Sequence, residues 1–378
     1  KRIGALVYQP RFVNHRSNDA EYDLDEANGL AQALGVDTIV SRIIPVRDLR
    51  VANFFGSGQI KAVGDECLAN DASIIIINAN LSPVQQRNLE RIWRVKVIDR
   101  TGLILEIFGL RAATKEGKLQ VELARLGYER SRLVRTWTHL ERQRGGTGGL
   151  AGPGETQIES DRRVLNDKMT KLKKELEQVR KTRGLQRKKR KRAPEKVVAL
   201  VGYTNAGKSS LFNIVTEGGV LAKDMLFATL DTTHRVLLLP SGQSAVLSDT
   251  VGFISALPTD LINAFRATLE EVKEADLILH VRDIADPLSE RRKNEVLKVL
   301  DLINAGPRHG QSIIEVWNKV DKIDPVELDF MIERAEALFQ TDNESVSFPI
   351  SCLNSFGILK LKNGIEKHLT KGDQTITV

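Results

Sequence analysis

Cysteine is nearly absent. Cys67 and Cys352 are the two in 378 residues, they lie far apart, and neither sits at metal-ligand spacing. A disulfide framework and a structural zinc site therefore have no support, and a reducing, cytosol-like compartment fits this usage. Long apolar runs are missing too. None approaches the ~20 residues that cross a bilayer, so membrane insertion is not expected. Methionine does not begin the chain, which opens at Lys1. That start is compatible with a leader or a disordered N-terminus having been removed, and leaves a targeting segment open. What remains is ordinary for a globular protein: 41% hydrophobic and 28% charged residues, long enough for about two or three domains.

The charge is unevenly placed. Residues 160–192 hold 15 Lys or Arg against 4 Asp or Glu, a net of +11 within a chain whose total is +7, so the remainder is net −4. A concentrated basic segment points to a polyanionic partner, with nucleic acid the best fit.

Apolar strand-like runs at 3–8, 36–44, 74–77 and 95–98 alternate with helical patterns at 21–34 and 82–93. Continuous apolar strands alternating with helices predict a small, mostly parallel α/β domain over residues 1–110. Within it, Phe55-Gly56-Ser57-Gly58-Gln59 precedes a helix. A tight turn is the favoured reading over a phosphate site, because turns recruit glycine for its dihedral freedom alone.

Beyond this, Leu119, Leu123, Leu126, Leu133, Trp137 and Leu140 form one stripe, and Leu165, Met169, Leu172, Leu176 and Val179 another. Two such stripes predict an antiparallel helical hairpin over 111–192, the leucines forming its seam. Between them lies 145–157, with six glycines and a proline, read as an exposed tip. Two helices can be joined in far fewer residues, and Arg142, Arg144, Arg162 and Arg163 flank the gap. Contact with an RNA backbone is therefore preferred to a passive connector. The run 187–192 reads as a basic linker.

Residues 193–370 predict a second α/β unit, a parallel-rich sheet with helices on both faces, whose C-terminal helix begins near Ser355. A tail at 371–378 is read as a short strand or a reduced C-terminal domain. Gly202-Tyr203-Thr204-Asn205-Ala206-Gly207-Lys208-Ser209-Ser210 follows an apolar strand at 196–201 and opens a helix, matching G-x-x-x-x-G-K-[ST] in its proper context. Its N–H groups can cradle phosphates, Lys208 can reach the β and γ phosphates, and the Ser209 hydroxyl can ligate Mg²⁺. Asp249-Thr250-Val251-Gly252 fits D-x-x-G: Asp249 would hold Mg²⁺ through water, and the Gly252 N–H would meet the γ-phosphate. In Phe227-Ala228-Thr229-Leu230-Asp231, Thr229 is a candidate switch residue for Mg²⁺ and γ-phosphate. Asn318-Lys319-Val320-Asp321 matches N-K-x-D. Asp321 can accept from both the N1–H and the exocyclic amine of guanine, donors that adenine does not pair, which selects GTP and GDP. Lys319 would lie along the base, and Asn318 would tie this loop to the phosphate loop. Ser351-Cys352-Leu353 could offer N–H to the guanine carbonyl.

With these motifs in this order, Arg100-Thr101-Gly102-Leu103-Ile104-Leu105-Glu106-Ile107-Phe108, Glu116-Gly117-Lys118-Leu119-Gln120-Val121-Glu122-Leu123, and Gly152-Pro153-Gly154-Glu155-Thr156-Gln157 with Asp161-Arg162-Arg163, the chain closely resembles the HflX family of P-loop TRAFAC GTPases. The resemblance implies a cytoplasmic, ribosome-associated GTPase that splits or rescues stalled ribosomes. It binds the large ribosomal subunit, its hairpin tip reaches ribosomal RNA, and it is expected to be monomeric. Thr232 stands where the family usually has proline, and the portion after the GTPase domain is short.

Phe253 occupies the position where many GTPases carry glutamine, and a phenyl ring cannot orient water. Slow intrinsic hydrolysis is expected, with ribosomes, backbone groups or a monovalent cation supplying what is missing. Asn205 stands where potassium-activated relatives carry a cation-binding asparagine, so Lys208, Asn205, Thr229 and Gly252 are the candidate catalytic set. An RNA-binding assembly or hibernation factor, in which nucleotide only stabilises the bound state, is the alternative. A tRNA-modifying GTPase is weaker still, since no catalytic cysteine or methyl-donor motif is present.

Overall fold

The computed structural model describes residues 3–13, 19–143, 153–190, 196–216, 226–227, 232–255, 266–341 and 346–371. The chain divides into two compact units, Lys1–Gln178 and Val179–Val378.

The first unit contains β1 (Gly4–Phe12), α1 (Ala20–Leu34), β2 (Asp37–Val46), α2 (Ser57–Ala69), β3 (Ile74–Ile77), α3 (Pro83–Trp93), β4 (Lys96–Asp99) and α4 (Arg100–Arg111). Its four strands are ordered β2-β1-β3-β4 and every pair is parallel. Ile75, Ile77, Leu6 and Tyr8 pack with Phe54, Phe55, Leu89 and Trp93 in one core, and burial of these large side chains is the main source of its stability. The Gly56 amide is taken by the Gln59 side chain at 3.0 Å. This closes the turn before α2 as a helix cap and leaves that donor no role toward an anion.

Two long helices follow, α5 (Lys115–Gln143) and α6 (Pro153–Arg190). Of the two apolar stripes, Leu126, Met169 and Leu176 are buried and Leu119, Leu123, Leu133, Leu165, Leu172 and Val179 half-buried. Helix α6 already begins at Pro153, so 153–157, read from the sequence as part of a loop, is helical. Proline suits the first helical turn because its missing N–H would be unpaired there and its φ is already helical. Residues 144–152 lie outside the described residues. The base of α5 is tied to the α/β sheet through Asp99, which is 1% exposed. Asp99 accepts from the Gly102 amide (2.8 Å), Tyr128 (2.6 Å), the Leu81 amide (3.2 Å) and Arg132 (2.7 Å). Arg132 also lies 4.0 Å over the Tyr128 ring.

The second unit contains β5 (Lys196–Gly202), α7 (Lys208–Val215), β6 (Thr233–Leu238), β7 (Ser244–Asp249), α8 (Arg266–Lys273), β8 (Leu277–Asp283), α9 (Ser289–Leu302), β9 (Ser312–Asn318), α10 (Pro325–Thr341), β10 (Val346–Pro349) and α11 (Ile358–Lys371). Its sheet order is β10-β9-β8-β5-β7-β6, with β6 antiparallel to β7 and all other pairs parallel. Helices cover both faces, which explains the unbroken apolar strands. Along β5, Val198 and Leu200 enter one core, with Leu211, Phe212 and Ile365. Ala199 and Val201 enter the other, with Val272, Val296 and Leu300. The last helix starts at Ile358, three residues after the expected Ser355, because 355–357 form a turn in which Ser355 and Gly357 take positive φ. The expected C-terminal strand at 374–378 lies outside the described residues. No described helix is long and apolar enough to cross a membrane.

Candidate functional site

The strand order brings the C-terminal ends of β5, β7, β8 and β9 side by side, the edge at which open α/β sheets bind ligands. At the end of β5 the chain turns through Tyr203, Thr204, Asn205 and Ala206 into α7. Gly207 adopts φ 96°, and a Cβ there would lie 2.1 Å from Asn318 Nδ2. Only glycine allows so close an approach of the two loops. Asn205 is left-handed at φ 61° and exposed, a conformation that asparagine tolerates better than most residues.

Lys208 is 6% exposed and donates to the Gly202 carbonyl at 3.1 Å and the Tyr203 carbonyl at 2.7 Å. Burial pulls its ammonium down to about 8, opposed by the nearby Asp249 carboxylate. The Ser209 hydroxyl donates to Asp249 Oδ2 at 3.0 Å, placing a hydroxyl and a carboxylate together at the helix start, while Ser210 follows in the first turn. Hard oxygen donors of this kind, few in number, suit Mg²⁺, which keeps waters and takes substrate phosphate oxygens. Among the described residues no group of three His, Cys, Asp or Glu could hold a metal alone, and a phosphate-bridged Mg²⁺ needs no such group. The donor set therefore fits the ion.

Thr250 is fully buried and donates to the Leu200 carbonyl at 2.6 Å, and Val251 is buried beside it. A Cβ at Gly252 would meet Lys208 Nζ at 3.0 Å and Thr204 Cγ2 at 2.9 Å. The D-x-x-G backbone thus passes directly over the lysine, and a side chain there would crowd the ammonium. Phe253, which occupies the position of the expected glutamine, is 4% exposed and packs in the core with Val201, Leu269 and Val272. Its main chain pairs with the phosphate loop: the Thr204 amide donates to the Phe253 carbonyl at 2.7 Å and the Phe253 amide to the Gly202 carbonyl at 3.1 Å. Phe227 is buried with φ 56°. Ala228, Thr229, Leu230 and Asp231 lie outside the described residues.

At the end of β9, Asn318 Nδ2 donates to the Ala206 carbonyl at 2.8 Å, and its Oδ1 accepts from the Cys352 amide at 3.2 Å. One side chain thereby joins three loops. Asp321 is exposed and accepts from the Ser351 hydroxyl at 2.5 Å. Ser351 also accepts from the Leu353 amide at 3.2 Å, so 351–353 brace Asp321 and Asn318. Val320 is buried, and Leu353 is 84% exposed. Burial, followed by the Asp321 charge, pushes the Cys352 thiol up to about 12, which leaves it an unreactive neutral group.

Matching sequence models run along the chain from residue 21 to residue 319. Residues 21–109 match the GTP-binding GTPase N-terminal region, 111–190 the GTP-binding GTPase middle region, and 197–319 the 50S ribosome-binding GTPase domain. The chain is 51% identical to the GTPase HflX of Magnetococcus marinus over 301 residues, covering 80% of this chain and 69% of that one. With the GTPase HflX of Escherichia coli it shares 47% over 305 residues, 81% of this chain and 71% of the relative.

The chain belongs to the HflX family.

Its fold also matches a Sulfolobus solfataricus GTP-binding protein solved with GDP, at TM-score 0.52 and 25% identity, covering 98% of this chain and 99% of that one. A second structure, the complex of SsGBP with GDP, gives TM-score 0.55 and 27% identity with the same coverage. The second unit is thus the GTPase domain of an HflX protein.

Two groups near the site escaped the sequence reading. Asp283, the last residue of β8, pairs with Lys319 Nζ at 2.6 Å and accepts from the Ala285 amide at 3.2 Å. Behind it lies a buried ionic cluster. Arg282 and Glu315, 4% and 8% exposed at their side chains, pair at 2.6 Å, and Lys293 reaches Glu315 at 2.5 Å. Burial would raise the Glu315 carboxyl, but Arg282 and Lys293 outweigh it and hold it at about 2. Burial also pushes the neighbouring His280 down to about 3, leaving the imidazole neutral. A signal for these residues exists in the sequence, since charged residues interrupt the otherwise apolar β8 and β9. It names no partner.

Proposed function

We propose that this protein binds GTP at the loops around Gly202–Ser209, Gly252 and Asn318–Asp321, and hydrolyses it while bound to the large ribosomal subunit, splitting or rescuing ribosomes. The observation that carries this reading is Asn318, whose amide links the phosphate loop to the loop that presents Asp321. Phosphate binding and base recognition are thus joined through one side chain. Asp321, oriented by Ser351, accepts the two guanine donors, and Lys319, held by Asp283, lies along the base. Lys208 stabilises negative charge on the β and γ phosphates, and the Gly252 amide donates to the γ-phosphate. Bound Mg²⁺ neutralises phosphate charge during transfer, with Ser209 and Asp249 holding it and Thr229 completing the set in the GTP state. Asn205 offers its side-chain oxygen to a monovalent cation. Because the Phe253 ring is a core group, positioning of the attacking water falls to main-chain groups, the cation or the ribosome.

The basic helix supports the choice of partner. Arg162, Arg163, Lys168, Lys171, Lys173 and Lys174 are all exposed on α6, the footprint of a phosphate backbone. This supports a hairpin that meets ribosomal RNA and a protein that works where those ribosomes do, in the cytoplasm. GTP hydrolysis measured in K⁺ and in Na⁺, with and without large subunits, tests the activity: stimulation by K⁺ and by subunits is expected, and equal fast rates in all four conditions would refute a supplied activator. Electron microscopy of the subunit complex with a non-hydrolysable GTP analogue tests the RNA contact, which density for 145–157 far from RNA would exclude. Lys208→Ala separates the switch from an assembly or hibernation factor. If that variant still remodels ribosomes normally, nucleotide is incidental.

A further inference from the structure

The segment that follows Gly252 is anchored more firmly than its backbone pairing alone provides. Two main-chain hydrogen bonds link Phe253 to Gly202 and Thr204, and regular pairing ends there. Two residues later, the Ser255 amide donates to the hydroxyl of Tyr203 at 2.6 Å. A phosphate-loop side chain thus extends the bridge past the point where the backbones separate. The Tyr203 ring is 6% exposed and lies beneath the Arg292 guanidinium, 4.7 Å from its centroid, a favourable cation–π contact. Arg292 is itself paired with Asp286, which accepts from the Leu288 amide at 2.9 Å at the entry to α9. Tyr203, Asp286 and Arg292 line one cleft beside the phosphate loop.

We infer that Tyr203 is a positioning residue for GTP hydrolysis: it fixes the main chain of 253–255, and with it Gly252, against the phosphate loop and α9. This rests on the GTPase reading above. The Phe253 ring is committed to the core, so what the chain presents next to Gly252 is its main chain, whose position depends on what holds the backbone. Hydrolysis is sensitive to displacements of about 1 Å. GDP, which lacks the γ-phosphate, does not need Gly252 in place. A tyrosine that served only as core packing would be replaced by phenylalanine without consequence, because the ring, its burial and its contact with Arg292 would persist.

The test compares the full-length chain with Tyr203→Phe. Turnover of GTP is measured in K⁺ with purified large ribosomal subunits, GDP affinity with a fluorescent GDP analogue, and amide exchange over 253–255 by mass spectrometry. Loss of one hydrogen bond is expected to lower kcat about fivefold. GDP affinity and melting temperature should not change, and 253–255 should exchange faster. Arg292→Gln, which keeps the hydroxyl and removes the cation over the ring, should lower kcat in the same direction. The inference is overturned if Tyr203→Phe keeps kcat within about twofold of wild type with unchanged exchange. It is equally overturned if kcat and GDP affinity fall together with the melting temperature, the pattern of general destabilisation. A wild-type chain that binds GTP without ever turning it over would refute the hydrolytic reading instead. The exchange comparison would then decide the anchor alone, with faster exchange supporting it and unchanged exchange refuting it.

Discussion

Raising the pH from 7 to 9 should weaken nucleotide binding through a single lysine. Lys208 is buried beneath the D-x-x-G backbone with its ammonium donating to two phosphate-loop carbonyls. Burial lowers its pKa from 10.5 to about 8, with Asp249 pulling the other way. A nucleotide phosphate favours the charged form, so binding is linked to protonation. With a free-protein pKa of about 8, the lysine is about nine-tenths charged at pH 7 and about one-tenth charged at pH 9, so GDP affinity should fall about tenfold, or about 1.4 kcal/mol. At pH 8 about half a proton should be taken up per GDP bound. Isothermal titration calorimetry in two buffers of different ionisation enthalpy measures both quantities. The sign for folding is separate. Between pH 8 and 10.5 the folded chain without nucleotide binds fewer protons at Lys208 than the unfolded chain, so this residue's contribution makes unfolding more costly as pH rises through that window. Affinity that stays constant from pH 7 to 9, with no proton uptake at pH 8, would refute the reasoning.

Asp283→Asn should loosen Lys319 and raise the KM for GTP and the Kd for GDP by about fivefold each, the worth of a half-buried ion pair, while kcat at saturation stays unchanged; steady-state kinetics and GDP titration check the split. Glu315→Gln removes one of the two carboxylates on buried Arg282, with Glu290 remaining, and should cost about 3 kcal/mol in urea unfolding, followed by the fluorescence of Trp317, whose indole donates to Glu315 at 3.2 Å. In the wild type, Glu315 titrates at about 2 when folded and 4.5 by its ordinary value. Its stabilisation of about 3 kcal/mol is therefore complete above pH 4.5 and lost as pH falls toward 2, which acid-unfolding curves of wild type and Glu315→Gln will show by converging. Asp99→Ala removes the acceptor for two amides, Tyr128 and Arg132, and should destabilise the first unit by about 3–5 kcal/mol without altering GDP affinity.

The parts of this molecule that could be read without coordinates share a physical character: their signal lies within a few residues. The runs at 74–77 and 196–201 are apolar because both faces of each strand are covered, and that state leaves a continuous trace. The phosphate loop and the N-K-x-D loop are short local arrangements whose residue types are dictated by the ligand. Other boundaries moved for equally local reasons. The hairpin tip shortened because Pro153 starts a helix, and the last helix began later because Ser355 and Gly357 take positive φ. Asp283 and the Arg282–Glu315–Lys293 cluster were not legible, since nothing in β8 names a partner on β9 or α9. The fate of Phe253 was half legible: a ring cannot orient water, but only the fold shows that it is buried.

By itself the sequence determined the alternation of strands and helices, the nucleotide loops in their order, and the concentration of positive charge in residues 160–192. Each follows from residue type and spacing over a short stretch of chain. Tertiary structure alone decided what holds those loops in working order. Asn318 reaches Ala206 across 112 residues and Cys352 across 34, and Tyr203 reaches Ser255 across 52. Lys208 is set near neutrality by the backbone folded over it. These are consequences of strand order, which places the ends of β5, β7, β8 and β9 together. Hydrogen bonds and burial depend on distance in space, and the order of residues along the chain does not encode that distance locally.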